Sequence, residues 1–204
     1  MSSPSAPNAT SSAALDALQA GRPVLRWQRR GFTLIELMTV VAMVAILATL
    51  AAPSLRDFLI RNRSAAISNE FTATVLRARS EAVSRNVCVS VCRSKPGASP
   101  AECEAGANWR TGWIAFANAA CDQSALTPGA DDLLVTSGPF DESFTFVSNT
   151  TSQSYMMFSP SGNARPGDAG RFDLRYMTET RPSNRGICVN PLGRTRLVGF
   201  GGTC

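Results

Sequence analysis

The sequence predicts an α+β protein in which one long, kinked N-terminal helix packs on an antiparallel β-sheet head of about eight short strands. Two periodicities predict a helix followed by strands. An apolar run leads into a helical stripe that ends near residue 86, and alternating, strand-like segments begin at residue 87. Because no further helical pattern lies between the strand candidates, antiparallel pairing is favoured over a parallel βαβ arrangement.

The first half of the predicted helix is apolar from Phe32 to Ala52, and Glu36 is its one charged residue. As a helix, this segment is long enough to cross a hydrocarbon layer about 30 Å thick. Because an ionisable side chain in a membrane span costs about 2.5–3.5 kcal/mol at the helix centre, we expect Glu36 to have a partner. Cleavage before Phe32 would place an ammonium group within one turn of Glu36, or opposite the Glu36 of a neighbouring subunit.

The second half of the predicted helix, residues 54–86, is amphipathic. Pro53 removes one backbone hydrogen bond, so we expect a kink there, but the helix continues because the pattern resumes at once. The apolar stripe is expected to pack on the protein's own sheet. Its members are Leu55, Phe58, Leu59, Ala66, Ile67, Phe71, Val75, Ala78 and Ala82.

The head, residues 87–204, contains eight strand candidates separated by clusters of Gly, Pro, Asn and Asp. They are Val87–Cys92, Trp113–Ala117, Leu133–Thr136, Ser143–Val147, Tyr155–Ser159, Arg171–Met177, Gly186–Val189 and Thr195–Val198.

The positive charge of the chain is concentrated before its apolar segment. Four arginines and one aspartate precede Gly31, so this leader carries +3 of the formal net charge of +5. A basic flank beside a membrane span stays in the cytoplasm, which places the head in the periplasm. The overall charge therefore indicates orientation and gives no argument for nucleic-acid binding.

Six cysteines, all in the head, are expected to form disulfides, because the periplasm is oxidising and the chain has no histidine to complete a zinc site. Cys88 and Cys92, on one strand, would be about 13 Å apart, beyond the reach of a disulfide, so they need different partners. The expected pairs, among 15 connectivities that the sequence leaves open, are Cys92–Cys103, Cys188–Cys204 and Cys88–Cys121.

The composition gives no indication of an enzyme. Without histidine, with Lys95 as the one lysine and with no serine in a nucleophile-elbow context, no catalytic group, metal site or cofactor site is predicted.

Arginines are concentrated near the end of the sequence: between Ser159 and Cys204 there are seven arginines and three acidic residues. Arg194 and Arg196 are two residues apart, so on a strand they would share a face. Guanidinium groups suit phosphate oxygens and supply a sequence-independent affinity for DNA. The alternative is that these arginines pair with acidic groups of an adjacent subunit.

The segment Arg29-Arg30-Gly31, followed by Phe-Thr-Leu-Ile-Glu-Leu-Met at 32–38 and then by Pro53, resembles the class III signal of type IV pilins and of type II secretion pseudopilins. This resemblance implies that prepilin peptidase removes a leader of residues 1–31 and N-methylates Phe32. It also implies that residues 32–53, with Glu36 and Pro53, form the transmembrane and assembly helix, whose partners are other pilins and an inner-membrane assembly platform.

The head resembles the GspH/FimT group of minor pilins and pseudopilins in segments 78–82, 91–94, 109–116, 158–162 and 193–196. The resemblance implies the pilin fold. It also implies a minor type IV pilin that primes assembly at or near the fibre tip, and the alternative is a GspH-type pseudopilin of a type II secretion system. For the FimT branch it also implies binding of double-stranded DNA during uptake. The implied contacts are Arg194 and Arg196, with Arg181 and Arg185 as helpers.

Overall fold

The protein is represented by a computed structural model that describes residues 31–99, 101–129, 131–149, 154–177 and 182–204. The chain divides into two compact units, one up to Ala48 and one from Thr49 onward. A single helix, α1 (Leu34–Arg85), begins in the first unit and ends in the second, and it continues through Pro53. Apart from Gly31, the predicted leader lies outside the described residues.

Eight strands follow α1 and form two four-stranded sheets in which every pair is antiparallel. The first sheet has the order β3-β2-β1-β5 and the second the order β4-β6-β7-β8. The prediction of one long helix on eight antiparallel strands is confirmed, and each strand lies within one residue of its predicted bounds. The strands are β1 (Cys88–Arg93), β2 (Trp113–Asn118), β3 (Leu133–Thr136), β4 (Phe144–Ser148), β5 (Tyr155–Phe158), β6 (Gly170–Tyr176), β7 (Arg185–Val189) and β8 (Thr195–Gly199).

The centre of the core is an aromatic cluster around Phe71, which is fully buried. The Phe71 ring centroid lies 5.2 Å from that of Trp113 on β2, 4.9 Å from that of Phe146 on β4 and 4.7 Å from that of Phe172 on β6. Trp109, in a short 3₁₀ turn, completes the cluster at 5.7 Å. One residue of the helix therefore joins both sheets.

The buried face of α1 begins later than the apolar stripe indicates. Ile60 is the first buried residue, whereas Leu55, Phe58 and Leu59 are 57–58% exposed. Periodicity identifies the apolar face of a helix, but it carries no information on how far along that helix the sheets reach. Of the predicted stripe, Leu55, Phe58, Leu59 and Ala66 are exposed, and the members from Ile67 to Ala82 are buried.

Three disulfides attach irregular segments to the outward faces of the sheets. Val89 and Val91 belong to the core, so the alternation of β1 turns Cys88 and Cys92 away from it. The bonds have Cα–Cα distances of 5.2, 5.6 and 5.5 Å, and the cysteine pairs are those expected from the sequence. They are Cys88–Cys121, Cys92–Cys103 and Cys188–Cys204.

Candidate functional site

The first turn of α1 has a side-chain N-cap that was not predicted from the sequence. Thr33 Oγ1 accepts a hydrogen bond from the Glu36 N–H at 3.3 Å, and the Thr33 carbonyl accepts one from the Leu37 N–H at 3.1 Å. Thr33 is thus the N-cap and Glu36 the third helical residue, the Thr-x-x-Glu spacing of a capping box. The Glu36 carboxylate lies in the first turn, where the helix dipole favours negative charge.

Among the residues that the structure describes, nothing covers the apolar half of α1. Every residue from 31 to 59 is exposed, including Phe32 at 79%, and no heavy atom lies within 4 Å of a Cβ built on Gly31. In the described part of the chain, α1 is the one helix long and apolar enough to cross a membrane. An apolar surface of this size is covered in the cell by lipid or by other protein.

Arg194 and Arg196 line one groove of about 650 Å³ on the second sheet. Arg196 is paired with Cys188 in the β7–β8 register. Ile187, which precedes Cys188 on β7, is buried in the core, so Cys188 lies on the opposite face of the sheet. The face that carries Arg196 therefore points away from the core, and both arginines are exposed. The remaining lining residues are Ala169, Gly170, Cys188, Val189, Asn190, Pro191, Thr195 and Cys204.

The loop between β7 and β8 ends at Arg194, which lies opposite Asn190 directly before β8. The Asn190 side-chain oxygen accepts a hydrogen bond from the Arg194 N–H at 2.9 Å, and the Asn190 N–H donates to the Arg194 carbonyl at 3.0 Å. Gly193 closes this loop with a φ of +69°, a conformation that glycine adopts without strain. The glycine that precedes Arg194 is therefore required by the turn.

Arg79 on α1 lies where the β5–β6 segment and the β7–β8 loop meet. Its Nε donates to the Gly162 carbonyl at 2.9 Å, and a Cβ on Gly193 would lie 2.6 Å from that carbonyl oxygen and 2.9 Å from Arg79 Cδ. Three segments that resemble the family, 78–82, 158–162 and 193–196, thus meet at one point. This contact could not be predicted from the sequence, because the three segments are far apart along the chain.

Of the two predicted helper arginines, the structure describes Arg185, which does not line the groove. Arg185 lies three residues before Cys188 on β7, so its side chain starts on the opposite face of the sheet from Arg196. Its Nε is buried and has no hydrogen-bond partner among the residues that the structure describes. Arg181 lies outside those residues.

Acidic groups near the groove are engaged elsewhere. Asp173 pairs with Arg171 at 2.7 Å, and Asp168 Oδ2 accepts a hydrogen bond from the Met157 N–H at 2.8 Å. Burial raises the pKa of the Asp168 carboxyl. No ion pair found within the described ranges includes Arg194 or Arg196, and those ranges contain no group of three His, Cys, Asp or Glu side chains that could hold a metal ion.

Comparison with protein families gives a match over residues 68–193, more than half of the chain, to the family described as type II transport protein GspH. This chain belongs to the GspH family. The prokaryotic N-terminal methylation motif matches residues 28–52, the predicted signal and apolar helix. The family predicted from the sequence is therefore confirmed: it is one of minor type IV pilins and GspH-like pseudopilins, which are structural proteins and not enzymes.

Individual relatives of this GspH-family chain are pilins. The type IV major alpha-pilin of Moraxella bovis is 42% identical over 45 residues, which cover 22% of this chain and 28% of the length of that pilin. The crystal structure of the type IV minor pilin FimU of Pseudomonas aeruginosa has a TM-score of 0.51 and 21% identity, with 69% of this chain and 92% of FimU covered. A second crystal form of FimU gives a TM-score of 0.49. At this identity the first FimU structure shows a shared fold.

Proposed function

We propose that this GspH-family chain is a minor pilin of a type IV pilus that takes part in priming assembly at or near the fibre tip. Residues 1–31 are removed after Gly31, residues 32–53 hold the protein in the bacterial inner membrane, and the head faces the periplasm before it enters the fibre. The observation that carries this proposal is the uncovered apolar half of α1, whose one carboxylate is Glu36. Such a surface can pass from lipid to the apolar helices of other pilins.

The proposed partners follow from the same segment. Prepilin peptidase acts on Gly31 and Phe32, the inner-membrane assembly platform receives the processed helix, and neighbouring pilins cover it in the fibre. The methylation motif over residues 28–52 supports this order of events. No catalytic activity and no cofactor are proposed for the chain itself.

Replacing Glu36 by alanine is expected to leave the protein processed and folded but to reduce its incorporation into fibres at least tenfold. The proposed partner of Glu36 is the Phe32 ammonium, and breaking a buried ion pair costs about 3–5 kcal/mol. The measurement is the amount of this chain in sheared fibres, relative to the amount in the membrane, by immunoblot.

Glu36→Gln separates the charge of Glu36 from the size and polarity of its side chain, because glutamine is a neutral amide of nearly the same shape. If the charge is needed, the glutamine variant fails as the alanine variant does. Normal incorporation of the glutamine variant would contradict the proposed ion pair.

The competing function is that of a minor pseudopilin in a type II secretion system, which the description of the matched family favours. Deletion of the gene distinguishes the two functions. Loss of surface fibres with normal protein secretion supports the pilus, and retained precursors of secreted proteins with normal fibres support the secretion system.

We also propose that the head binds double-stranded DNA through Arg194 and Arg196. Both guanidinium groups line one exposed groove, and neither has a carboxylate partner among the described ion pairs. A guanidinium group binds phosphate oxygens through paired N–H donors, and such contacts read no sequence. The alternative ligand of the groove is an acidic group of an adjacent pilin.

Changing Arg194 and Arg196 to glutamine is expected to weaken DNA binding about tenfold per arginine and to reduce the slope of log K against log salt by about two. The assay is fluorescence anisotropy with labelled duplex DNA and the processed full chain in detergent. Arg77→Gln is the matched control, since it removes the same charge from the exposed face of α1 outside the groove. An unchanged affinity and an unchanged slope in the double variant would contradict DNA binding at this site.

A further inference from the structure

The last residues of the chain, 200–204, which we name the C-terminal strap, lie across the outward face of the second sheet. Three different arginines contact it. Arg196 Nη2 donates to the Thr203 carbonyl at 3.0 Å, and Arg171 Nη1 donates to the Gly202 carbonyl. The guanidinium carbon of Arg175 lies 4.5 Å above the centroid of the Phe200 ring.

A disulfide between Cys204 and Cys188 closes the strap onto β7. The strand registers pair Arg171 with Cys188 and Cys188 with Arg196, so these three residues form one row across β6, β7 and β8. The disulfide therefore lies at the middle of the row, with an arginine on each side of it. Cys204 directly follows Thr203, so the same bond brings the Thr203 carbonyl to the Arg196 side chain.

The contact with the strap restricts the Arg196 side chain without burying it. One guanidinium N–H is used by Thr203, which leaves four of the five for a ligand, and the residue is exposed at the groove that it shares with Arg194. A free arginine side chain loses rotamer entropy when it binds, and a contact that has already restricted it removes part of this cost.

We infer that the Cys188–Cys204 disulfide is a positioning element for Arg196: it holds the strap so that the Thr203 carbonyl preorganises the Arg196 guanidinium for a phosphate oxygen of the DNA backbone. The inference rests on the proposed DNA-binding function and extends it from the two arginines to the strap beside them. The strap also forms one wall of the groove, because Cys204 is among its lining residues.

A matched control exists on the other sheet. The Cys92–Cys103 disulfide attaches a loop to the outward face of the first sheet, and Cys92 and Cys103 pack with Ile114 and Phe116 there. Neither cysteine lines the arginine groove. Removing this bond leaves two disulfides, as removing Cys188–Cys204 does, but the strap stays in place.

The test is a double-mutant cycle on the processed full chain in detergent, with duplex DNA as the probe. The pair Cys188→Ala and Cys204→Ala is combined with wild type, with Arg196→Gln and with Arg194→Gln. We expect the cysteine pair to weaken binding about fivefold in the wild-type and Arg194→Gln backgrounds and to have no further effect in the Arg196→Gln background. The control pair Cys92→Ala and Cys103→Ala should leave the affinity unchanged, and a thermal melt verifies that each variant is folded.

An equal loss in the Arg196→Gln background would overturn the inference, because the disulfide would then act on the fold and not through Arg196. Tighter binding without the disulfide would also overturn it, since the strap would then cover the anion site. If the arginine variants themselves bind DNA as wild type does, the proposed function and the inference both fail. If they lose affinity while the cysteine pair has no effect, the inference alone fails.

A second measurement does not depend on DNA. The ¹⁵N–Hε order parameter of the Arg196 side chain, measured by NMR, is expected to fall when the cysteine pair is replaced, whereas that of Arg77 should not change. An Arg196 side chain that is equally ordered with and without the disulfide would overturn the positioning role.

Discussion

Gly31→Asp is expected to block removal of the leader almost completely and to leave the full-length precursor in the membrane. Among the described residues nothing packs on this position, because no heavy atom lies within 4 Å of a Cβ built there. We therefore expect the substitution to act at the proposed cleavage step, within the methylation motif that matches residues 28–52. Mass spectrometry of the membrane fraction measures the effect by the presence or absence of residues 1–31.

Gly138→Asp is the control for Gly31→Asp, since a Cβ at that glycine of the head also meets open space. This variant should be processed normally. A mature chain that begins at Phe32 in the Gly31→Asp variant would contradict the proposed cleavage site.

Phe71→Ala is expected to lower the free energy of unfolding of the head by about 3–5 kcal/mol. Its ring is fully buried and contacts aromatic rings from both sheets, so its removal leaves a cavity that neither sheet can fill alone. Domains are typically stable by about 5–15 kcal/mol, so this loss is a large part of the total. Urea unfolding followed by tryptophan fluorescence measures it, because Trp109 and Trp113 border the cavity.

Leu76→Ala serves as the comparison for Phe71→Ala, because Leu76 lies on the same helix but is 47% exposed. Its substitution should change stability by about 0.5 kcal/mol or less. A loss below about 1 kcal/mol for Phe71→Ala would contradict the central position of this ring.

The strands could be predicted closely because each is short, alternating and bounded by turn residues. The extent of helix packing could not, because Leu55 and Phe71 belong to the same apolar stripe and differ only in whether a sheet lies opposite them. The central position of Phe71 was also hidden, since its ring partners come from β2, β4 and β6. Local pattern predicts elements, and it does not predict which elements meet.

The candidate site shows the same limit. Arg194 and Arg196 could be selected because the segment 193–196 resembles the GspH/FimT group, and their spacing predicted a shared face; the structure places both on one groove. Neither the contact of Arg79 with the Gly162 carbonyl nor that of Arg196 with the Thr203 carbonyl could be predicted, because each joins a side chain to the backbone of a distant or irregular segment. The N-cap at Thr33 follows the Thr-x-x-Glu spacing that is common at helix starts, so this contact could have been predicted from the sequence.

The close packing around Gly193 limits what the β7–β8 loop can accept at the position before Arg194. A Cβ there would lie 2.6 Å from the Gly162 carbonyl oxygen and 2.9 Å from Arg79 Cδ, in a backbone conformation with a φ of +69° that favours glycine. A larger residue would therefore displace the helix side chain and the β5–β6 segment together, so this one position couples three segments that are distant in the sequence.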